Sequence, residues 1–194
     1  MGLIGVREAT EALAGLPVVP RRPAVPPYRR EAFGPRWRDV DDNGCNQRDD
    51  VLLRDAVPGS TTVQQQGRCP HDVLSGTWID PYTGKRLELS DLKEPRQAQA
   101  VQIDHVVPLA EAWLSGAHGW TDRRRSDFAN DLTALVASDG PTNASKGSDD
   151  PAAWRPKQPY QCAYAVRWVT VKQRWALAVD ASELRALGEM LALC

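Results

Sequence analysis

Between positions 101 and 109 the chain reads Val-Gln-Ile-Asp-His-Val-Val-Pro-Leu, a run of β-formers that sets an Asp and a His side by side near its end. In a strand, adjacent side chains leave on opposite faces, so Asp104 and His105 can serve different tasks at one place. Pro108 stops the strand, and Leu109 to Leu114 predicts a short helix closed by Ser115-Gly116. Downstream, Asn130 to Val136 predicts a returning strand, and Pro141 to Gly147 predicts the opening turns of a helix with the proline near its start. Upstream, Val73 to Ile79 and Lys85 to Leu89 predict a hairpin around the turn Asp80-Pro81-Tyr82-Thr83-Gly84, with Trp78 and Tyr82 as packing residues.

Helical patterning fills most of the rest. Gln47 to Arg54 predicts a helix after a turn, Ser90 stands in capping-box order before Asp91 and Glu94, and Asp122 to Phe128 predicts an arginine-rich helix. Tyr160, Ala163, Tyr164, Arg167, Trp168, Val171, Trp175 and Ala178 recur at helical spacing, which marks a long amphipathic helix whose aromatic stripe reads as core. Ser182 is placed to cap a last helix, Glu183 to Leu193. The class is therefore α+β. Arg7 to Ala14 fits one or two helical turns, whereas Leu16 to Pro35 is dense in Pro and Arg and reads as an extended, mobile tail. This divides the chain into a tail, 1–35, and a single domain, 36–194, with its core motif at about 99–150. Arg21, Arg22, Arg29 and Arg30 in the tail serve solubility or non-specific phosphate contact.

A length of 194 residues suits one domain with a real core. The formal charge of −1 excludes a surface that coats polyanions all over, and leaves room for a local basic groove. No apolar run reaches membrane-spanning length, so no membrane partner is expected. The oxygen-rich stretch Asp41 to Asp50 is not a calcium loop, because Leu52 stands where the closing Glu is required. His71 reads as a surface histidine. Cys45, Cys69, Cys162 and Cys194 are even in number and lack C-x-x-C spacing, which leaves four thiols or two disulfides. Met1 to Leu16 contains Arg7, Glu8 and Glu11 without a continuous apolar stretch, so no signal peptide is recognisable.

The spacing Asp104-His105-x-x-Pro108, then Asn130, then Asn143-x-x-Lys146-Gly147, resembles the HNH nuclease superfamily. Gly76 to Gly84, Ile103 to Trp113, Phe128 to Asp131 and Asn143 to Trp154 are similar to one subgroup, the small and often secreted bacterial HNH nucleases related to the C-terminal nuclease domain of modification-dependent restriction enzymes. The resemblance covers Phe33 to Cys194. It implies a ββα-metal core, preceded by a β-hairpin region and followed by C-terminal helices. It also implies that Asp104 and Asn143 hold one divalent metal, with Asn143 where many HNH sites carry a second histidine (the HNN variant). An all-oxygen ligand set favours Mg²⁺ or Mn²⁺ over Zn²⁺. By the same resemblance His105 activates water, Asn130 braces the loop carrying His105, and Lys146 neutralises a phosphate oxygen.

Glu111 is a supporting candidate beside the metal, Arg48 is expected to face substrate phosphate, and Arg125 is expected to reach the scissile region as a substrate contact or to buttress it. The resemblance pairs Cys45 with Cys69 and Cys162 with Cys194 and implies a secreted-type domain; the alternative is free thiols in a cytoplasmic or phage-encoded enzyme. The expected activity is a monomeric, metal-dependent endonuclease on nucleic acid, DNA favoured, with little sequence specificity, since no helix-turn-helix or zinc finger is present. Two other readings stay open. One is a non-catalytic nucleic-acid-binding module; the other is a nuclease subunit targeted by a partner.

Overall fold

The computed structural model describes residues 2–19 and 24–194. Arg21 and Arg22 lie outside the described residues. In chain order the elements are α1 (Val6–Gly15), β1 (Val18–Val19), α2 (Gln47–Asp55), β2 (Thr62–Gln66), β3 (Cys69–Ile79), β4 (Arg86–Leu89), α3 (Pro95–Ala100), β5 (Val101–His105), α4 (Leu109–Leu114), α5 (Asp122–Ala129), β6 (Leu135–Asp139), α6 (Gly140–Lys146), α7 (Gln158–Trp175), β7 (Val179–Asp180) and α8 (Ala181–Leu191). The α+β class stands. No described helix is long and apolar enough to cross a membrane.

The antiparallel β5–β6 pair divides the core in two. Its register sets Ile103 against Ala137 and Asp104 against Val136. Alternation then sends Val101, Ile103, Leu135 and Ala137 to one side, where they pack with Val51, Leu52, Val73, Trp78 and Leu87 of α2 and the β2–β3–β4 sheet. Val136 and, just past β5, Val106 and Val107 join a larger cluster made by the helices, around Trp113, Phe128, Trp168 and Leu187. Asp104 thus sits where two apolar bodies meet.

The predicted hairpin of Val73 to Ile79 and Lys85 to Leu89 is present as β3–β4, with Trp78 opposite Leu87. Its turn does more than reverse the chain. Asp80, fully buried, accepts from Ser138 Oγ at 2.9 Å and from the Asp139 backbone N–H at 3.0 Å, which pins the turn to β6. Gly84 has φ +71°, and a Cβ there would lie 1.8 Å from the Tyr160 hydroxyl, so both conformation and space demand glycine.

Several boundaries differ from expectation, each because a side chain takes over a backbone donor. The returning strand begins at Leu135 rather than Asn130, since Asp131 accepts from the Thr133 N–H at 2.9 Å and folds Leu132–Ala134 into a 3₁₀ turn. The helix expected to open at Ser90 opens at Pro95, with Glu94 accepting from the N–H groups of Arg96 and Gln97. Asp180, not Ser182, caps the last helix. The region expected to be a free tail is docked. Ala9, Ala12, Leu13 and Leu16 are buried in the helical cluster, β1 pairs with β7, Phe33 is fully buried, and Trp113 Nε1 donates to the Pro26 carbonyl at 2.7 Å.

Both disulfides form as the resemblance implied, Cys45–Cys69 and Cys162–Cys194, with sequence separations of 24 and 32. The first ties the loop before α2 to the start of β3, and the second ties α7 to the C-terminal residue. Loops of this size contribute on the order of 3 kcal/mol each in the chain-entropy account.

Lys172 lies fully buried among α4, α7 and α8, where Nζ donates to Glu111 Oε1 at 2.9 Å, Ser115 Oγ at 2.7 Å and Glu183 Oε2 at 3.2 Å. One cation thus serves two buried carboxylates. Burial, opposed by Lys172 and reinforced by Glu111, raises the Glu183 carboxyl to about 7. A raised acid binds its proton more tightly in the folded state, so its contribution to stability is complete below its ordinary value and fades as pH rises through about 7. Between about pH 4.5 and 7 the wild-type protein is expected to lose stability from this group, with little further change above that range. Denaturant midpoints across that window test it: Glu183→Gln should flatten the decline, and an equally steep decline in the variant would refute the assignment.

Candidate active site

A cleft of ≈ 540 Å³ opens at the end of β5, lined by Asp104, His105, Gln102, Asn143, Arg48 and a wall from the N-terminal segment, Tyr28, Arg30, Arg36 and Trp37. Asp104 and His105 come from β5, and Asn143 from α6, which follows β6 directly. Asp139 caps α6 by accepting from the Thr142 N–H, so the helix starts where the strand ends and holds Asn143 near β5. The Asn143 Nδ2 donates to Gln102 Oε1 at 2.8 Å, which leaves its carbonyl oxygen as the remaining donor atom toward a cation.

Asp104 is buried. Tyr82 donates its hydroxyl to Asp104 Oδ2 at 2.5 Å, and Lys146 Nζ reaches Asp104 Oδ1 at 3.0 Å. Burial pushes the carboxyl up, while Lys146 and then Tyr82 pull it down. Tyr82 itself is held well above its ordinary value by burial and by the Asp104 charge, so it stays a hydrogen-bond donor. The hairpin turn pinned by Asp80 is what delivers Tyr82 to this carboxylate.

His105 Nε2 lies 2.8 Å from the Ala129 carbonyl. A carbonyl only accepts, so Nε2 carries the proton and a neutral ring keeps its lone pair on Nδ1. Burial lowers the imidazole to about 4, with Arg30, Lys146 and Arg36 adding to the effect against the hydrogen bond to the Ala129 carbonyl. At neutral pH the ring is therefore an uncharged base. Asn130 fixes this arrangement at one remove. Its Nδ2 donates to the Ser126 carbonyl at 2.8 Å and its Oδ1 accepts from the Arg38 N–H at 3.0 Å, joining the end of α5, which carries Ala129, to the segment that walls the cleft.

The other expected site residues sort by where their polar atoms go. Arg48 lines the cleft while its guanidinium donates to the carbonyls of Ala98 and Val101, so it also buttresses the α3–β5 junction. Lys146 is fully buried, bonded to Asp104 and to the His105 carbonyl at 2.9 Å, which places it beneath the carboxylate rather than at an open phosphate position. Arg125 is 8% exposed and donates to the carbonyls of Ala32, Ala117 and Trp120 and to Asp122. It fastens the N-terminal segment to α5 and is not in the cleft. Glu111 belongs to the Lys172 cluster, away from Asp104.

Sequence reading missed Tyr82 as a partner of Asp104, and Tyr28, Arg36 and Trp37 as cleft walls. The unusual placing of Tyr82 inside a Pro-Tyr-Thr-Gly turn was the one available signal. Among the described residues Cys45, Cys69 and His71 come close enough to share an ion, but the two sulfurs are bonded to each other. His71 is partly buried rather than on the surface, with Nε2 2.8 Å from Asp50 Oδ1.

Over residues 47–190 the chain matches the family described as GmrSD restriction endonucleases, C-terminal domain. It is 40% identical over 189 residues to an uncharacterized secreted protein of Arthroderma benhamiae, a match that spans 96% of this chain and 84% of that one. No solved structure matches it. A carboxylate and a neutral histidine at the end of one strand, an asparagine on the helix after the next, and this match over most of the chain agree: the protein belongs to the family of GmrSD restriction endonuclease C-terminal domains, an HNH-type nuclease family.

Proposed function

We propose that this protein is a metal-dependent endonuclease that hydrolyses phosphodiester bonds of nucleic acid, DNA in the first instance, with little sequence preference. The observation that carries the reading is the state of His105, a neutral imidazole with its proton committed to Ala129 and its lone pair on Nδ1, beside a buried carboxylate. That is the form a general base requires to take a proton from attacking water.

The donor set fits a hard divalent cation. Asp104 offers a carboxylate whose lone pairs exceed what Tyr82 and Lys146 use, and Asn143 offers an amide oxygen; both line the same cleft. With oxygen ligands alone, Mg²⁺ or Mn²⁺ is favoured over Zn²⁺. Such an ion, bound by Asp104 and Asn143, would polarise a phosphoryl oxygen and neutralise charge on the leaving oxygen. The protein's own residues do the rest. Lys146 draws Asp104 toward its ionised form, Tyr82 fixes its orientation, His105 accepts the water proton, and Arg30 and Arg36 on the facing wall attract and seat the phosphate. The paired cysteines and the secreted relative support an extracellular setting for the enzyme.

Hydrolysis with water on the side opposite the 3′ oxygen leaves a 5′-phosphate and a 3′-hydroxyl. Nicks made in a plasmid should therefore be resealed by DNA ligase without any prior treatment. Nicks that reseal only after phosphatase and kinase treatment would rule out this direction of attack.

A further inference from the structure

The N-terminal wall of the cleft carries chemistry that phosphate hydrolysis alone does not need. Tyr28, Arg30, Arg36 and Trp37 line it together, two aromatic rings beside two guanidiniums. Tyr28 is 38% exposed, and the Trp37 ring, partly buried against the sheet-side core, lies near-parallel to His105, 12° between planes with centroids 6.3 Å apart. Trp37 also holds φ 55°. A bulky residue in the left-handed region is strained, and such strain persists where the surroundings over-determine it and clusters at working sites. Here the flanking hold is visible: the Arg38 N–H is fixed by Asn130 Oδ1 and the Arg38 guanidinium donates to Ser126 Oγ at 2.9 Å. The fold expends conformational energy to present this indole beside the candidate base.

We propose that Trp37, with Tyr28 at the outer rim, is a nucleobase-stacking subsite next to the scissile phosphate, and that the preferred substrate is accordingly a single-stranded polynucleotide. This rests on the nuclease reading above for the position of the phosphate. In a duplex the faces of the bases are covered by their neighbours, and only sugar and phosphate edges meet the wall of a cleft. A ring on that wall gains stacking energy only from a base that has left the helix, whereas Arg30 and Arg36 attract either form. Aromatic rings interleaved with cations are the general means of holding single strands without reading sequence.

Binding tests this independently of catalysis. Fluorescence anisotropy of a labelled oligothymidylate in EDTA should show tighter binding than the same oligonucleotide annealed to its complement. Trp37→Ala should weaken single-strand binding by about 5- to 150-fold, with Trp37→Phe retaining most of it. Duplex binding should fall far less. Equal losses on both forms, or tighter binding of the duplex by the wild-type protein, would overturn the subsite.

A second readout separates stacking from support of His105. Where cleavage is measured, Trp37→Ala should lower kcat/KM on single-stranded DNA about tenfold more than on bis(4-nitrophenyl) phosphate, a diester without bases. Equal losses on the two would reduce Trp37 to a packing neighbour of His105. Intact single-strand preference in a protein that cleaves nothing with any metal would sink the nuclease reading and leave the subsite standing.

Discussion

His105→Ala is expected to lower phosphodiester cleavage by about 10²- to 10⁴-fold, the range for losing a positioned general base. The near-neutral cost to folding makes the experiment clean. The ring stands in the cleft wall and hydrogen-bonds to the Ala129 carbonyl, so the variant should keep its circular dichroism spectrum and lose little stability. KM should change less than kcat, because the imidazole acts on water in the transition state and contributes little to seating the polynucleotide. Retention of more than about a tenth of wild-type kcat by a folded variant would remove His105 from the base role.

Lys146→Met should produce the largest loss of stability of any single change in the cleft's foundation. The ammonium is fully buried against Asp104 and the His105 carbonyl, so its removal leaves a buried carboxylate that has lost its cation and keeps the Tyr82 hydroxyl. Breaking a buried pair on one side costs about 3–5 kcal/mol. Protonation of Asp104 would relieve part of that cost, and its carboxyl is already pushed upward by burial; the relief would also remove the anionic oxygen a cation needs. Denaturant unfolding therefore should show a large drop for Lys146→Met and substantial recovery in the double variant with Asp104→Leu, which would be inactive. A single variant as stable as the wild type would show that the pair does not carry this load.

The parts of the site that were legible in the sequence are those where local pattern and tertiary role coincide. β5 alternates cleanly, so Asp104 and His105 could be placed on opposite faces from residue order alone. The hairpin from Val73 to Leu89 was legible because Asp-Pro-Tyr-Thr-Gly is turn chemistry with a mechanism. β6 was not: its Ala137-Ser138-Asp139 half is poor in β-formers and is a strand because Asp80 and β5 supply its partners.

Charged residues were the harder case. Arg123, Arg124 and Arg125 are adjacent, yet Arg125 is the one buried to collect several carbonyls, while Arg124 stays exposed and reaches the Trp175 carbonyl; helix phase against the N-terminal segment decides that. Lys146 lies one turn beyond Asn143, and spacing cannot distinguish a lysine that faces phosphate from one that lies under a carboxylate. The N-terminal segment was misread for a related reason. Its Pro and Arg content resembles a free tail, but small residues at Ala9 and Ala12 allow α1 close approach to α7 and α8, and Phe33 anchors the stretch that ends at Trp37. A composition rich in proline records the absence of helix, not the absence of contacts.

The most direct test of the account is cleavage of circular single-stranded DNA and supercoiled plasmid by the purified, disulfide-intact protein in Mg²⁺, Mn²⁺, Zn²⁺ or EDTA. Cutting is expected with Mg²⁺ or Mn²⁺, none in EDTA, and loss of cutting in Asp104→Asn and Asn143→Ala. Full cutting in EDTA, full activity with Zn²⁺ alone, or no cutting of either circle by a folded protein in any metal would contradict it.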